Sequence, residues 1–117
     1  MIMDKIERRV RMPVGALRYD EYSRYYAQVG ADRIAAAYVI HDAAAREFAA
    51  KACAPMKEKV FPCSGDGKAE LAPAGTRMWL PHFSDLPVPQ GGGCGAVTFL
   101  YRPSTNTFSK PECNGPY

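Results

Sequence analysis

Residues 95–113 read GAVTFLYRPSTNTFSKPEC. The first part, 95–102, is a run of strong β-formers, Val97, Thr98, Phe99 and Tyr101 among them, and predicts a strand. PSTN then turns the chain, because Pro103 presets its own φ and Asn106 tolerates a positive one. TFSKPEC returns as a second strand over 107–113, with Pro111 marking an edge or a bulge, since proline has no N–H to give to a ladder. The expected unit is a β-hairpin. Just ahead of it lies QGGGCGAV, 90–97. A phosphate loop would need a helix after its glycines and a Lys-Ser or Lys-Thr pair, whereas here β-formers follow. The glycines read instead as the swing into the strand, with Cys94 and Cys113 near the open end of the hairpin.

Cys94 and Cys113 are two of four cysteines, with Cys53 and Cys63. No C-x-x-C pair is present, and four cysteines allow three pairings among which sequence cannot choose. Locality favours 53–63 and 94–113. A zinc site is weakly supported, because the short paired spacing that pre-organises two ligands is missing, so no metal is expected.

The chain of 117 residues is expected to be a single domain, 1–117. Ten glycines and ten prolines imply many turns and short elements rather than a helical bundle. The net charge is +3, and the early arginines Arg8, Arg9, Arg11, Arg18 and Arg24 alternate with Glu7, Asp20 and Glu21, so nucleic acid is an unlikely partner. No apolar stretch approaches the eighteen or so residues of a membrane span. The opening MIMDKIERRV lacks a signal peptide's apolar core, which leaves a cytoplasmic chain or a mature form whose leader is gone.

Working outward from the hairpin, KIERRVRM (5–12) reads as a short edge strand halted by Pro13. Tyr19, Tyr22 and Tyr26 fall at helical spacing, which predicts a short helix from Asp20 to Gly30 with tyrosine hydroxyls at the surface. DRIAAAYVIH (32–41) reads as a buried central strand. Asp42 is a good N-cap for a helix over 42–52, with Arg46 and Glu47 outward, Phe48 inward, and Pro55 as its stop. The long stretch 53–75 needs a staple, which a Cys53–Cys63 bridge would supply; SGDGK within it is a tight turn. TRMWLP (76–81) reads as a strand, and its Trp79 is expected to be buried against the C-terminal hairpin. The fold class is therefore α+β: a mainly antiparallel sheet of about four strands (32–41, 76–80, 95–102, 107–113), one packed helix and a short additional helix.

For function, exposed aromatics are what partner sites favour, so the candidate binding surface is Tyr19, Tyr22, Tyr25, Tyr26, Trp79, His82 and Phe83. Thiol catalysis would pair Cys94 or Cys63 with His41 or His82, and bridging the cysteines removes the thiolate it needs. His41 adjoins Asp42, but capping a helix competes with orienting an imidazole, and no catalytic residue is assigned. Asp66, Glu70 and Asp85 sit singly in polar loops. No cofactor is expected, and the partner is an unknown protein or small ligand.

At YDEYSRYYA (19–27), LP (86–87), GGGCGAV (91–97) and CNG (113–115) the chain resembles small bacterial proteins, commonly exported with a leader or lipoprotein signal. The resemblance implies that Cys94 and Cys113 pair and that the location is periplasmic or otherwise exported; it brings no activity with it. The leading expectation is a non-catalytic binding or interaction domain of the bacterial cell envelope. Its alternatives are a small hydrolase or thiol enzyme using a histidine, and a cytoplasmic regulator binding protein or nucleic acid through the N-terminal arginines.

Overall fold

The computed structural model describes residues 2–87 and 93–114. The fold is α+β, with helices α1 (Ile2–Arg9) and α2 (Ala43–Cys53) and strands β1 (Ser23–Gly30), β2 (Arg33–Val39), β3 (Arg77–Leu80), β4 (Ala96–Arg102), β5 (Thr107–Phe108) and β6 (Glu112–Cys113). The sheet runs β3-β1-β2-β4-β5, with β6 also on β4. It is mixed rather than wholly antiparallel, because β3 lies parallel to β1.

The additional strand is the tyrosine segment. The expected helix over 20–30 is only a single 3-10 turn, Tyr19–Glu21, before β1 begins. Tyr22 and Tyr26 are four apart, a spacing shared by one helix face and one strand face. Tyr25 resolves the ambiguity: it packs with Ala27, Ala72 and Leu80 on the opposite side of the sheet from Tyr22 and Tyr26. A strand covered on both faces loses the apolar–polar alternation that advertises it.

The expected edge strand at 5–12 is likewise overturned, since α1 covers most of it. Ile2, Met3, Ile6 and Val10 form a helical stripe against the sheet, with Ile6 fully buried. Asp4 in the first turn and Arg8 and Arg9 in the last complement the helix dipole.

The remaining elements follow local signals. β2 is central, as its apolar run implies. Asp42 caps α2 by accepting the Ala45 amide at 2.8 Å. Only Ala49 and Cys53 of α2 are buried, and Phe48 is 76% exposed, so this helix does not pack on the sheet through Phe48. The burial stripe is the i, i+4 pair 49/53, one position off Phe48; the helix leans on alanine propensity and on the Cys53–Cys63 disulfide at its C-terminus. At the hairpin Asn106 takes φ 53° and accepts the Tyr101 hydroxyl at 2.6 Å. Pro111 splits the return strand into β5 and β6. Cys94 and Cys113 are bonded across the hairpin base, their Cα atoms 4.5 Å apart.

Two cores result. Under α1 lie Tyr22, Tyr26, Ile34, Tyr38, Val97, Phe99 and Tyr101. On the other face, Tyr25, Ala27 and Leu80 are covered by Ala72, Phe61 and Leu86 from the connecting segments. Trp79 belongs to neither. It is 39% exposed on edge strand β3, with β1 and β2 between it and the hairpin strand β4, so its expected burial there is incorrect.

Candidate functional site

The tyrosines are structural. Tyr22, Tyr25 and Tyr26 are fully buried, hydroxyls included, and leave the candidate surface. Glu7, 8% exposed, accepts Arg24 Nε at 3.0 Å and the Tyr26 hydroxyl at 2.6 Å, while its other oxygen accepts Arg77 Nη1 at 3.0 Å. Tyr26 gives its proton to Glu7, so Tyr38, 2.6 Å away, donates to Tyr26. Burial raises the pKa of both phenols. The Tyr22 hydroxyl donates to the Cys94 carbonyl at 2.6 Å, tying β1 to the hairpin disulfide. Tyr19, partly buried, lies under the Arg24 guanidinium, 5.3 Å from its ring centre. Arg24 is thereby removed from the surface arginines as well.

His41 and Tyr25 form a second interior contact. The Tyr25 hydroxyl accepts the Ala72 amide at 2.9 Å and faces His41 Nε2 at 2.8 Å. Burial, and then the Arg46 charge, hold the His41 pKa below the usual histidine value. The Asp42 carboxylate caps α2 and does not orient the imidazole. All four sulfurs are in disulfides, so none of the proposed Cys–His pairs contains a thiol.

What stays at the surface is Trp79, His82 and Phe83. A cleft of about 610 Å³ runs beside β3, lined by Phe61, Met78, Trp79, Pro81 and His82, with Lys59, Glu70 and Asp85 among its polar walls. Phe83, 55% exposed, stands in the short 3-10 turn Phe83–Asp85 next to it. β3 and the turn after it carry one side of the cleft; the disulfide-stapled segment around Phe61–Cys63 carries the other. Adjacency in sequence revealed the first side. The second was hidden, because only the staple hinted that the segment folds back. A second hollow of about 510 Å³ has Ala35, Ala37, Thr98 and Leu100 in its lining, on the sheet face away from α1. Among the described residues, no three metal-ligating side chains converge, and no helix is long and apolar enough to cross a membrane.

No protein-family model matches the chain, and comparisons with curated proteins and with solved structures gave no match.

Proposed function

We propose that this chain is a non-catalytic binding domain of the bacterial cell envelope whose binding surface is the cleft along β3. One observation carries the reading. In a chain that buries most of its tyrosines, Trp79 and His82 remain accessible and line one cleft, and Phe83 is exposed in the turn that follows. Exposed aromatics beside an apolar hollow are what recognition surfaces use. Two disulfides suit an oxidising compartment, and the resemblance to exported proteins points the same way.

Two measurements test this reading. Thiols alkylated in intact cells, before lysis, should leave the chain unlabelled by mass; a fully labelled chain overturns the envelope location. The immobilised oxidised chain should retain an envelope component that a folded Trp79→Ala variant does not. Equal retention by both overturns the placement in the cleft.

A further inference from the structure

We infer that the open edge of β3 takes an extended peptide carrying a basic side chain, added to the sheet as a further strand. The inference rests on the binding reading above and names its partner class.

The backbone defines what fits. β3 pairs with β1, and no other described strand pairs with it; across the cleft beside it stands the stapled segment around Phe61–Cys63. The Arg24 amide donates to the Thr76 carbonyl at 2.9 Å, and Arg24 is in register with Arg77. In a parallel ladder this turns the Met78 and Leu80 amides toward β1 and the Trp79 amide and carbonyl outward. Trp79 is among the residues that line the cleft. Four residues, Arg77–Leu80, offer a template roughly 13 Å long, enough for about four residues of an added strand.

Sheet edges are normally blunted by short strands, lysine or proline. The far edge is blunted in this way: β5 and β6 have two residues each, separated by a stretch containing Lys110 and Pro111. β3 is twice as long, at four residues, and contains neither lysine nor proline, Pro81 following its last residue. Its one charged side chain, Arg77, turns to Asp4 and Glu7, at 2.7 and 3.0 Å, and so does not guard the edge.

Charge selects among extended segments. Glu70 and Asp85 both line the cleft, against Lys59 as its one lysine or arginine. Neither carboxylate has an ion-pair partner among the described residues. A basic side chain on the occupant would supply one. The same carboxylates disfavour a second copy of this chain, which would bring Glu70 and Asp85 to meet their own kind.

The experiment selects a random short-peptide library on the immobilised, oxidised full chain and then studies the most enriched peptide. Enriched peptides should contain lysine or arginine, and Glu70→Gln with Asp85→Asn should weaken binding about tenfold. N-methylation along the peptide should cost about tenfold at alternate residues and little between them, since only every second amide faces β3. Trp79→Pro, which removes an outward N–H as well as the indole and leaves the bonds to β1, should bind at least about tenfold more weakly than Trp79→Ala, which removes the indole alone. If the proline variant does not fold, the N-methyl scan alone decides. A flat scan, no enrichment over bare matrix, or a dimer lost in Trp79→Pro overturns the inference. Retention of the envelope component by the cleft would survive such a result, so strand addition can fall while the binding reading stands. Loss of that retention as well would sink both.

Discussion

The two faces of the sheet are built from different materials. Beneath α1 the core is aromatic and polar at once: Tyr22, Tyr26 and Tyr38 hold their hydroxyls in bonds that end on Glu7 and on the Cys94 carbonyl. The opposite face is floored by small residues, Ala27, Ala35 and Ala37, and is roofed over one half by loops that a disulfide staples down. One face is specified by paired polar groups, which tolerate no missing member. The other is held by the Cys53–Cys63 link together with the Tyr25 hydroxyl's contacts to Ala72 and His41, and it leaves hollows. The accessible cleft belongs to the stapled side, where the cover is loop rather than helix.

The contrast breaks most sharply at Glu7. Glu7→Ala leaves the buried Arg24 without its carboxylate and Tyr26 without an acceptor, and should cost about 3–5 kcal/mol in denaturant unfolding. Glu7→Gln, which keeps the shape and one acceptor oxygen, should cost clearly less. If the two variants are equally mild, the helix-covered face is held by apolar packing alone.

On the stapled side, replacing Cys53 and Cys63 together by alanine frees a ten-residue loop closure and should cost about 2.5–3 kcal/mol in the chain-entropy model. The damage should be local. Hydrogen exchange should quicken at Ala72, whose amide bonds the Tyr25 hydroxyl, and stay slow in β2 and β4. Uniform quickening across the sheet would show that the two faces are not separable units.

A smaller effect concerns pH. His41 is held below its unfolded value near pH 6.5, so the unfolded chain binds the extra proton more readily. Its contribution to stability is complete above that value and is lost as pH falls through the lower folded one. Asp4, Asp32 and Asp66, lowered by hydrogen bonds to Arg77, Ser104 and Ser64, titrate in a more acid window. Stability measured from pH 7.5 downward should therefore decline before the carboxylates protonate, and His41→Gln should flatten that first decline. An unchanged slope would remove His41 from the account.

The smallest effect is expected at Phe48, where alanine should change stability by less than about 0.5 kcal/mol because the ring lies in water. A larger loss would mean that α2 packs more closely than its burial stripe shows.

Legibility followed the range of the interactions. β2, β3, β4, the hairpin turn and the Asp42 cap are written in neighbouring residues, and they can be read there. Both disulfides are between consecutive cysteines, which is why locality found them. α1 and β1 are ambiguous in sequence where apolar or aromatic residues recur every four positions, at Ile6/Val10 and Tyr22/Tyr26, since both periods accept that interval. Burial of the tyrosines is not legible locally, because the groups that satisfy their hydroxyls, Glu7, Cys94 and Ala72, lie far away in sequence. The cleft was half legible for the same reason: Trp79 and His82 are neighbours, whereas Phe61 and Glu70 arrive from the stapled segment.

The cysteine connectivity also bears on biosynthesis. First joins second, and third joins fourth. During vectorial emergence from a ribosome or translocon, Cys53 meets Cys63 while Cys94 is still to come, and Cys94 then finds Cys113 with no other thiol left over. An oxidase that links cysteines in their order of arrival makes the native pattern at once. Formation of these two bonds in residues 1–117 in that order needs an electron acceptor and no rearrangement.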